Sequence, residues 1–207
     1  MHLQNLLIRG SKLRIIAGKA KGRNIAAVAT STRPTSDRAR EALFSTLTSE
    51  FGTFTNLNVL DLYAGTGAIA LESLSRGAAV VHAVENNEQA QKCIVSNYEA
   101  IKSAQFEGSF HLYNLDVTRF LRDRPTLQYH FVYIDPPYDA EDLDVVETLI
   151  HLQTGEFLDP QALIAIERNS RVKEISWPSG YVALREKNYG QATIFYATPV
   201  PIEPVNG

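Results

Sequence analysis

The chain has 207 residues, 44% of them hydrophobic and 21% charged, with a net charge of −3; this suits one globular domain with a sizeable core. No run of about 18 apolar residues is present to cross a membrane, and the opening MHLQNLLIRGSK lacks the apolar stretch and cleavage site of a secretory signal, so a cytoplasmic location is expected. A single cysteine, Cys93, excludes an internal disulfide and a cysteine-based zinc site, and His2, His82, His111, His130 and His151 fall without ligand spacing, so no metal is expected.

Charge is uneven along the chain. Residues 1–40 hold nine Lys/Arg against one acid, Asp37, on a chain whose total is −3. A basic segment on an acidic body marks a footprint for a polyanion, with Lys19, Lys21, Arg23, Arg33 and Arg38 as candidate RNA contacts. A solvated arm or a transit peptide would share this composition. The stretch RIIAGKAKGRNI favours an ordered hairpin, because its charges sit between apolar residues and the turn glycines Gly18 and Gly22. Residues 1–35 are therefore expected to form a basic arm with a small β-hairpin, and residues 36–207 the main domain.

After the connector TRPTS, Thr35 or Ser36 can cap a helix carrying Ala39, Leu43, Leu47 and Phe51 at four-residue spacing. NVLDLYAG reads as a buried strand and a glycine loop, and AIALESLSRG as a helix closed by Gly77. AVVHAVE is a strand, followed by a helix over NEQAQKCIVSNYEAI capped by Asn86 or Asn87. SFHLYNLD, YHFVYID and ALIAIER give three more strands, separated by helices over VTRFLRD and EDLDVVETLIHL. GYVALREK and ATIFYATP close the chain as an antiparallel hairpin. Alternating β and α from Asn58 onward predicts an α/β fold whose mostly parallel sheet has helices on both faces.

In such sheets ligands bind beyond the C-terminal ends of the strands. DLYAGTGAIA brings Gly65 and Gly67 to that edge, where backbone can approach a ligand and a helix begins. The loop formally matches G-x-G-x-x-A, with Glu85 about 20 residues on, so a dinucleotide dehydrogenase is a rival. Asp61, just before the loop, opposes a pyrophosphate and suits a cationic cofactor such as S-adenosylmethionine. Glu85 would then hold ribose hydroxyls, and Asp116 the adenine amino group. Tyr63, Ala64, Asn86 and Val117 flank these positions and complete the candidate cofactor set.

The fourth strand of this series delivers Asp135-Pro136-Pro137-Tyr138 to the same rim. An exocyclic amine on an aromatic base is a poor nucleophile, because its lone pair is delocalised into the ring. Asp135 and the Pro136 carbonyl, held by the stiff Pro136-Pro137 turn, can accept both amine hydrogens and turn the lone pair toward a methyl donor. Tyr138 offers a face for stacking the base. The turn could simply end a strand, but its combination with D-x-x-x-G-x-G and spaced acids favours catalysis.

RIIAGKAKGR, TRPTSDRAREALFSTL, VLDLYAGTGAIALESLSRGA, DPPY and KNYGQATIFY together resemble the RsmD family of bacterial 16S rRNA guanine-N2 methyltransferases, over roughly Leu13 to Thr198. The resemblance implies a class I, Rossmann-like, S-adenosylmethionine-dependent methyltransferase fold. It also implies a guanine N2 target in 16S rRNA within an assembling small ribosomal subunit; a monomer is expected. Carried over by position, Asp61, Gly65 and Gly67 lie at the cofactor loop, Glu85 at the ribose, Asp116 near adenine, and Asp135 to Tyr138 at a flipped base. Arg33, Thr35 and Arg38 would shape the entrance. Rival functions are an adenine-N6 DNA methyltransferase, disfavoured by the lack of a target-recognition insertion, and a glutamine-N5 protein methyltransferase, which typically has Asn at Asp135. A non-catalytic RNA-binding module would need the arm but not the acid-lined crevice.

Overall fold

The computed structural model describes residues 13–27 and 37–200. Each run read as a strand from Asn58 onward joins one seven-stranded sheet. β3 (Asn58–Leu62), β4 (Val80–Val84), β5 (Ser109–Tyr113), β6 (Tyr129–Ile134) and β7 (Leu158–Asn169) pair in parallel. β8 (Tyr181–Asn188) and β9 (Ala192–Pro199) form the antiparallel hairpin, with β9 set against β7. The order β5-β4-β3-β6-β7-β9-β8 reverses direction at β3 and β6, which opens a crevice beyond their C-terminal ends.

Helices cover both faces. α1 (Asp37–Phe51), α2 (Ala68–Ser75) and α3 (Glu88–Ile101) contribute Leu43, Phe44, Ile69, Leu74 and Ile94 to a core under Val59, Phe131 and Tyr133. α4 (Val117–Phe120) and α5 (Asp142–Thr154) bury Val117, Phe120, Val145 and Leu149 against Leu62, Ile134 and Ile164 on the opposite face. None of the described helices is long and apolar enough to cross a membrane.

Two elements differ from expectation. β7 starts at Leu158, ahead of the predicted ALIAIER run, and its pairing with β6 shifts register between Tyr129 and Phe131. That irregularity accommodates Pro160, which has no N–H to give a regular ladder. The N-terminal strands, expected over LRIIAG and RNIAAVAT, are also shorter: β1 (Leu13–Arg14) and β2 (Asn24–Ile25) pair over two residues each.

The hairpin nevertheless packs firmly. Leu13, Ile15, Ala20 and Ile25 bury against Ala68, Leu71 and Ile101. The Glu72 carboxylate, fully buried on α2, accepts the N–H groups of Ile16 at 2.6 Å and Ala17 at 2.9 Å and Arg76 Nε–H at 2.7 Å. Gly18 has φ of +80°, and a Cβ there would lie 1.9 Å from the Ser75 carbonyl oxygen, so only glycine fits. Arg40, wholly buried, ties α1 to the hairpin by donating to the Arg14 carbonyl at 2.9 Å and to Asp37 at 2.6 Å.

Candidate active site

The glycine loop leaves β3 through three alternate positions with positive φ: Tyr63 at 61°, Gly65 at 55° and Gly67 at 73°. Gly67 caps α2, and a Cβ on it would press on the Ile94 side chain at 3.2 Å. At Gly65 an added Cβ would meet nothing closer than the Tyr63 carbonyl at 3.9 Å, so the loop is open to a ligand on that side. Glu85 holds the loop, its Oε2 accepting the Gly65 N–H and its Oε1 the Asn87 N–H, both at 2.8 Å. Ala64 N–H donates to the Val84 carbonyl at 3.0 Å.

Asp61 lies beneath the loop. It is 1% exposed, and its Oδ2 accepts the Ala70 N–H of α2 at 3.0 Å. Burial pushes its carboxyl up to about 7, opposed by the Ala70 N–H and reinforced by the charge of Glu85. Asp116 caps α4, its Oδ1 accepting Thr118 N–H at 2.9 Å while its Oδ2 is 3.5 Å from the Asn86 amide nitrogen. Asn86 is exposed beside it and Val117 is buried behind it. Tyr63 is half-buried, and burial raises its phenol. The three acids thus sit at successive strand ends, each already bonded to a backbone N–H.

β6 delivers the second half of the site. Asp135 N–H points to the Leu62 carbonyl at 3.4 Å, which sets the Asp135 turn beside the glycine loop. Pro136 is buried, while Pro137 and Tyr138 project outward, Tyr138 being 61% exposed. Asp135, Pro136, Pro137 and Tyr138 line one pocket together with Glu167 and Arg168 of β7. The Asp135 carboxyl is held well above its ordinary range by burial first, then by the charges of Glu167 and Asp61, with Arg168 pulling the other way.

Glu167 and Arg168 were missed at the level of sequence. The ALIAIER run ends in a carboxylate, as the runs ending at Asp61, Glu85 and Asp135 do, and that signal was available. Tyr133 donates its hydroxyl to Glu167. Arg168 donates to the Ala140 carbonyl at 3.0 Å and to Asp142 at 2.9 Å, which fastens the segment following the Pro-Pro turn to β7. With Asp61, Glu85, Asp135 and Glu167 at one rim, the site fits a ligand that brings positive charge and opposes a pyrophosphate.

The basic residues divide. Lys21 and Arg38 are exposed. Lys19 is paired with Glu107 at 2.9 Å. Arg23 closes the end of α3 by donating to the Ala100 and Ile101 carbonyls and to Ser103 Oγ. Its guanidinium is thus engaged in holding the hairpin to α3. Arg33, Thr35 and Ser36 lie outside the described residues.

The family model described as "Conserved hypothetical protein 95" matches residues 13–198. Ribosomal RNA small subunit methyltransferase D of Escherichia coli K12 is 31% identical over 181 residues, covering 87% of this chain and 86% of its own. Among solved structures, yhhF of Escherichia coli superposes with a TM-score of 0.79 at 29% identity, covering 92% of this chain and 99% of its own. Magnesium protoporphyrin IX methyltransferase of Synechocystis PCC 6803, solved with S-adenosylmethionine bound, shares the fold alone, with a TM-score of 0.60 at 13% identity over 78% of each chain. The sheet order, the glycine loop and the Asp-Pro-Pro-Tyr turn thus occur in a class I methyltransferase fold, and the chain belongs to the RsmD family.

Proposed function

We propose that this chain is an S-adenosylmethionine-dependent methyltransferase that modifies the exocyclic N2 of a guanine in small-subunit ribosomal RNA, within an assembling subunit. The observation that carries it is the Asp135-Pro136-Pro137-Tyr138 turn, which lines one pocket and is set beside the glycine loop where Asp135 N–H approaches the Leu62 carbonyl at 3.4 Å. The similarity to the Escherichia coli small-subunit methyltransferase supports the class of RNA.

The cofactor, when bound, supplies a methyl group on a sulfonium whose C–S electron pair stays with sulfur. The residues fit it: the open face of Gly65, the Glu85 carboxylate for ribose hydroxyls, Asp116 and Asn86 for the adenine end, and a rim whose surplus negative charge suits a cation. Asp135 and the Pro136 carbonyl accept the two amine hydrogens, so the N2 lone pair is freed from the ring and directed. Asp135, whose carboxyl binds a proton more readily than usual, takes the hydrogen that N2 sheds. Tyr138, largely exposed, offers its ring to the base, a contact worth about 1–3 kcal/mol. Positioning supplies most of the acceleration, and the base must leave its stack to reach the pocket. The protein acts as a monomer in the cytoplasm.

The test is methylation of small-subunit particles from a strain lacking the gene, with labelled cofactor and mapping of the modified nucleoside. Label in N2-methylguanosine is expected. A protein that binds NAD and ignores S-adenosylmethionine would sink the proposal.

A further inference from the structure

The guanine target rests on the proposed function, and the structure carries it one residue further. Asp135 and Glu167 stand side by side. β6 and β7 pair in parallel with Tyr133 opposite Ala165 and Ile134 opposite Ile166, so the next step sets Asp135 beside Glu167. Parallel neighbours at one register position share a face of the sheet and lie about 4.8 Å apart. Both carboxylates line the pocket that holds Tyr138. The Tyr133 hydroxyl, 2% exposed below them, donates to Glu167 Oε2 and fixes that carboxylate's direction.

Two purines carry an exocyclic amine that this turn could hold, and their edges differ at N1. Guanine presents N1–H, a donor, next to its N2 amine. Adenine presents a bare N1 lone pair next to its N6 amine. If Asp135 and the Pro136 carbonyl take the two amine hydrogens, N1–H needs an acceptor of its own, since a buried donor left unmade is costly. We propose that Glu167 is that acceptor and that it sets guanine over adenine by accepting N1–H. Against adenine the same carboxylate would face a lone pair, a repulsive element of the kind that specificity requires. The Coulomb push of Glu167 on Asp135 agrees with the two groups sharing one small space.

The probe is 2-aminopurine, which keeps the 2-amine but has no N1–H and no O6. Small-subunit RNA carrying 2-aminopurine in place of the mapped guanine is assembled into particles and methylated by wild-type enzyme and by Glu167→Gln. Cofactor affinity is followed by calorimetry. Wild type is expected to disfavour 2-aminopurine by about 100-fold or more, as a site built for an N–H rejects an analogue lacking it. Glu167→Gln should lose activity on guanine yet narrow the gap to within about tenfold, because its amide can donate to a bare N1. Cofactor affinity should change far less than transfer to guanine. Wild type that treats both bases alike overturns the proposal, as does a variant that loses both activities equally with the gap intact. Should the variant fail to fold, the wild-type comparison still decides. Wild type that puts no methyl group on guanine N2 in unsubstituted particles would instead overturn the proposed function.

Discussion

Glu85 fastens the glycine loop to the start of α3, with Gly65 N–H on one carboxylate oxygen and Asn87 N–H on the other, each at 2.8 Å. One side chain thus shapes the loop and, under the proposed function, meets the ribose.

Glu85→Ala leaves two backbone donors without their acceptor, at a cost of about 1–3 kcal/mol. Thermal unfolding should register that loss. Calorimetry should show cofactor affinity falling by about tenfold or more, the effect of about 1.4 kcal/mol. Unchanged affinity in the Glu85→Ala variant would separate the loop from cofactor binding.

Asp135→Asn is expected to keep cofactor binding and lose most methyl transfer. It should also stabilise the protein at neutral pH. The folded Asp135 carboxyl holds its proton to higher pH than the unfolded chain does, so stability falls as pH rises from 3.8 through the raised value. The melting-temperature advantage of Asp135→Asn over wild type should therefore shrink as pH is lowered toward the unfolded-chain value of 3.8. For the same reason, wild-type transfer rates should rise with pH through the Asp135 titration.

Arg168→Lys tests the tether. A lysine cannot span the Ala140 carbonyl and Asp142 as the guanidinium fork does. Turnover should drop by about tenfold or more with cofactor affinity intact, since small misplacements of reacting groups are expensive. Equal losses in turnover and cofactor binding would instead assign Arg168 to general stability.

The basic hairpin now separates into distinct roles. Lys21→Glu should weaken binding to RNA and lower the salt slope by about 1, with no change in melting temperature. Arg23→Glu should destabilise the fold, because its guanidinium caps α3 at Ala100, Ile101 and Ser103. Filter binding across a salt series, beside thermal melts, distinguishes the two.

His82 predicts a further pH effect. Burial, with His111 nearby, lowers its ring to about 4. His111, Tyr113 and Tyr129 surround the ring, and Tyr129 shares a hydrogen bond of 2.6 Å with its Nδ1. The unfolded ring takes a proton near 6.5, so stability is complete above that value and is lost as pH falls toward 4. Solvent screening of the partly exposed ring limits the effect to about 1 kcal/mol. Melting temperature should fall less between about pH 7 and pH 5 in His82→Gln than in wild type, by about 2–4 °C for a domain of this size.

Sequence periodicity located nearly every strand and helix, because each is a local apolar pattern between glycine, proline or capping residues. Asn87 capping α3 and Gly77 following α2 show how local such signals are. The crevice was legible to the extent that strand ends collect on one edge. The partnership of Asp135 with Glu167 was not, since it depends on which strands become neighbours across 32 positions of chain. Arg23 and Arg40 mislead for the same reason: a charge reads as surface until its distant carbonyl partners are known. The late start expected for β7 has another cause, since Pro160 ordinarily ends a strand and here sits within an irregular stretch of it.

α2 joins two working parts of the molecule. Its first residue follows Gly67 of the loop, and its last, Ser75, receives the hairpin at Gly18 and Ala20. Eight residues of helix make a strut about 12 Å long. The hairpin is therefore a fixed gauge block, set at constant distance from the glycine loop. Under the proposed function, only an RNA already folded to present its target at that spacing would be modified, and the chain would act as a sensor of folded shape.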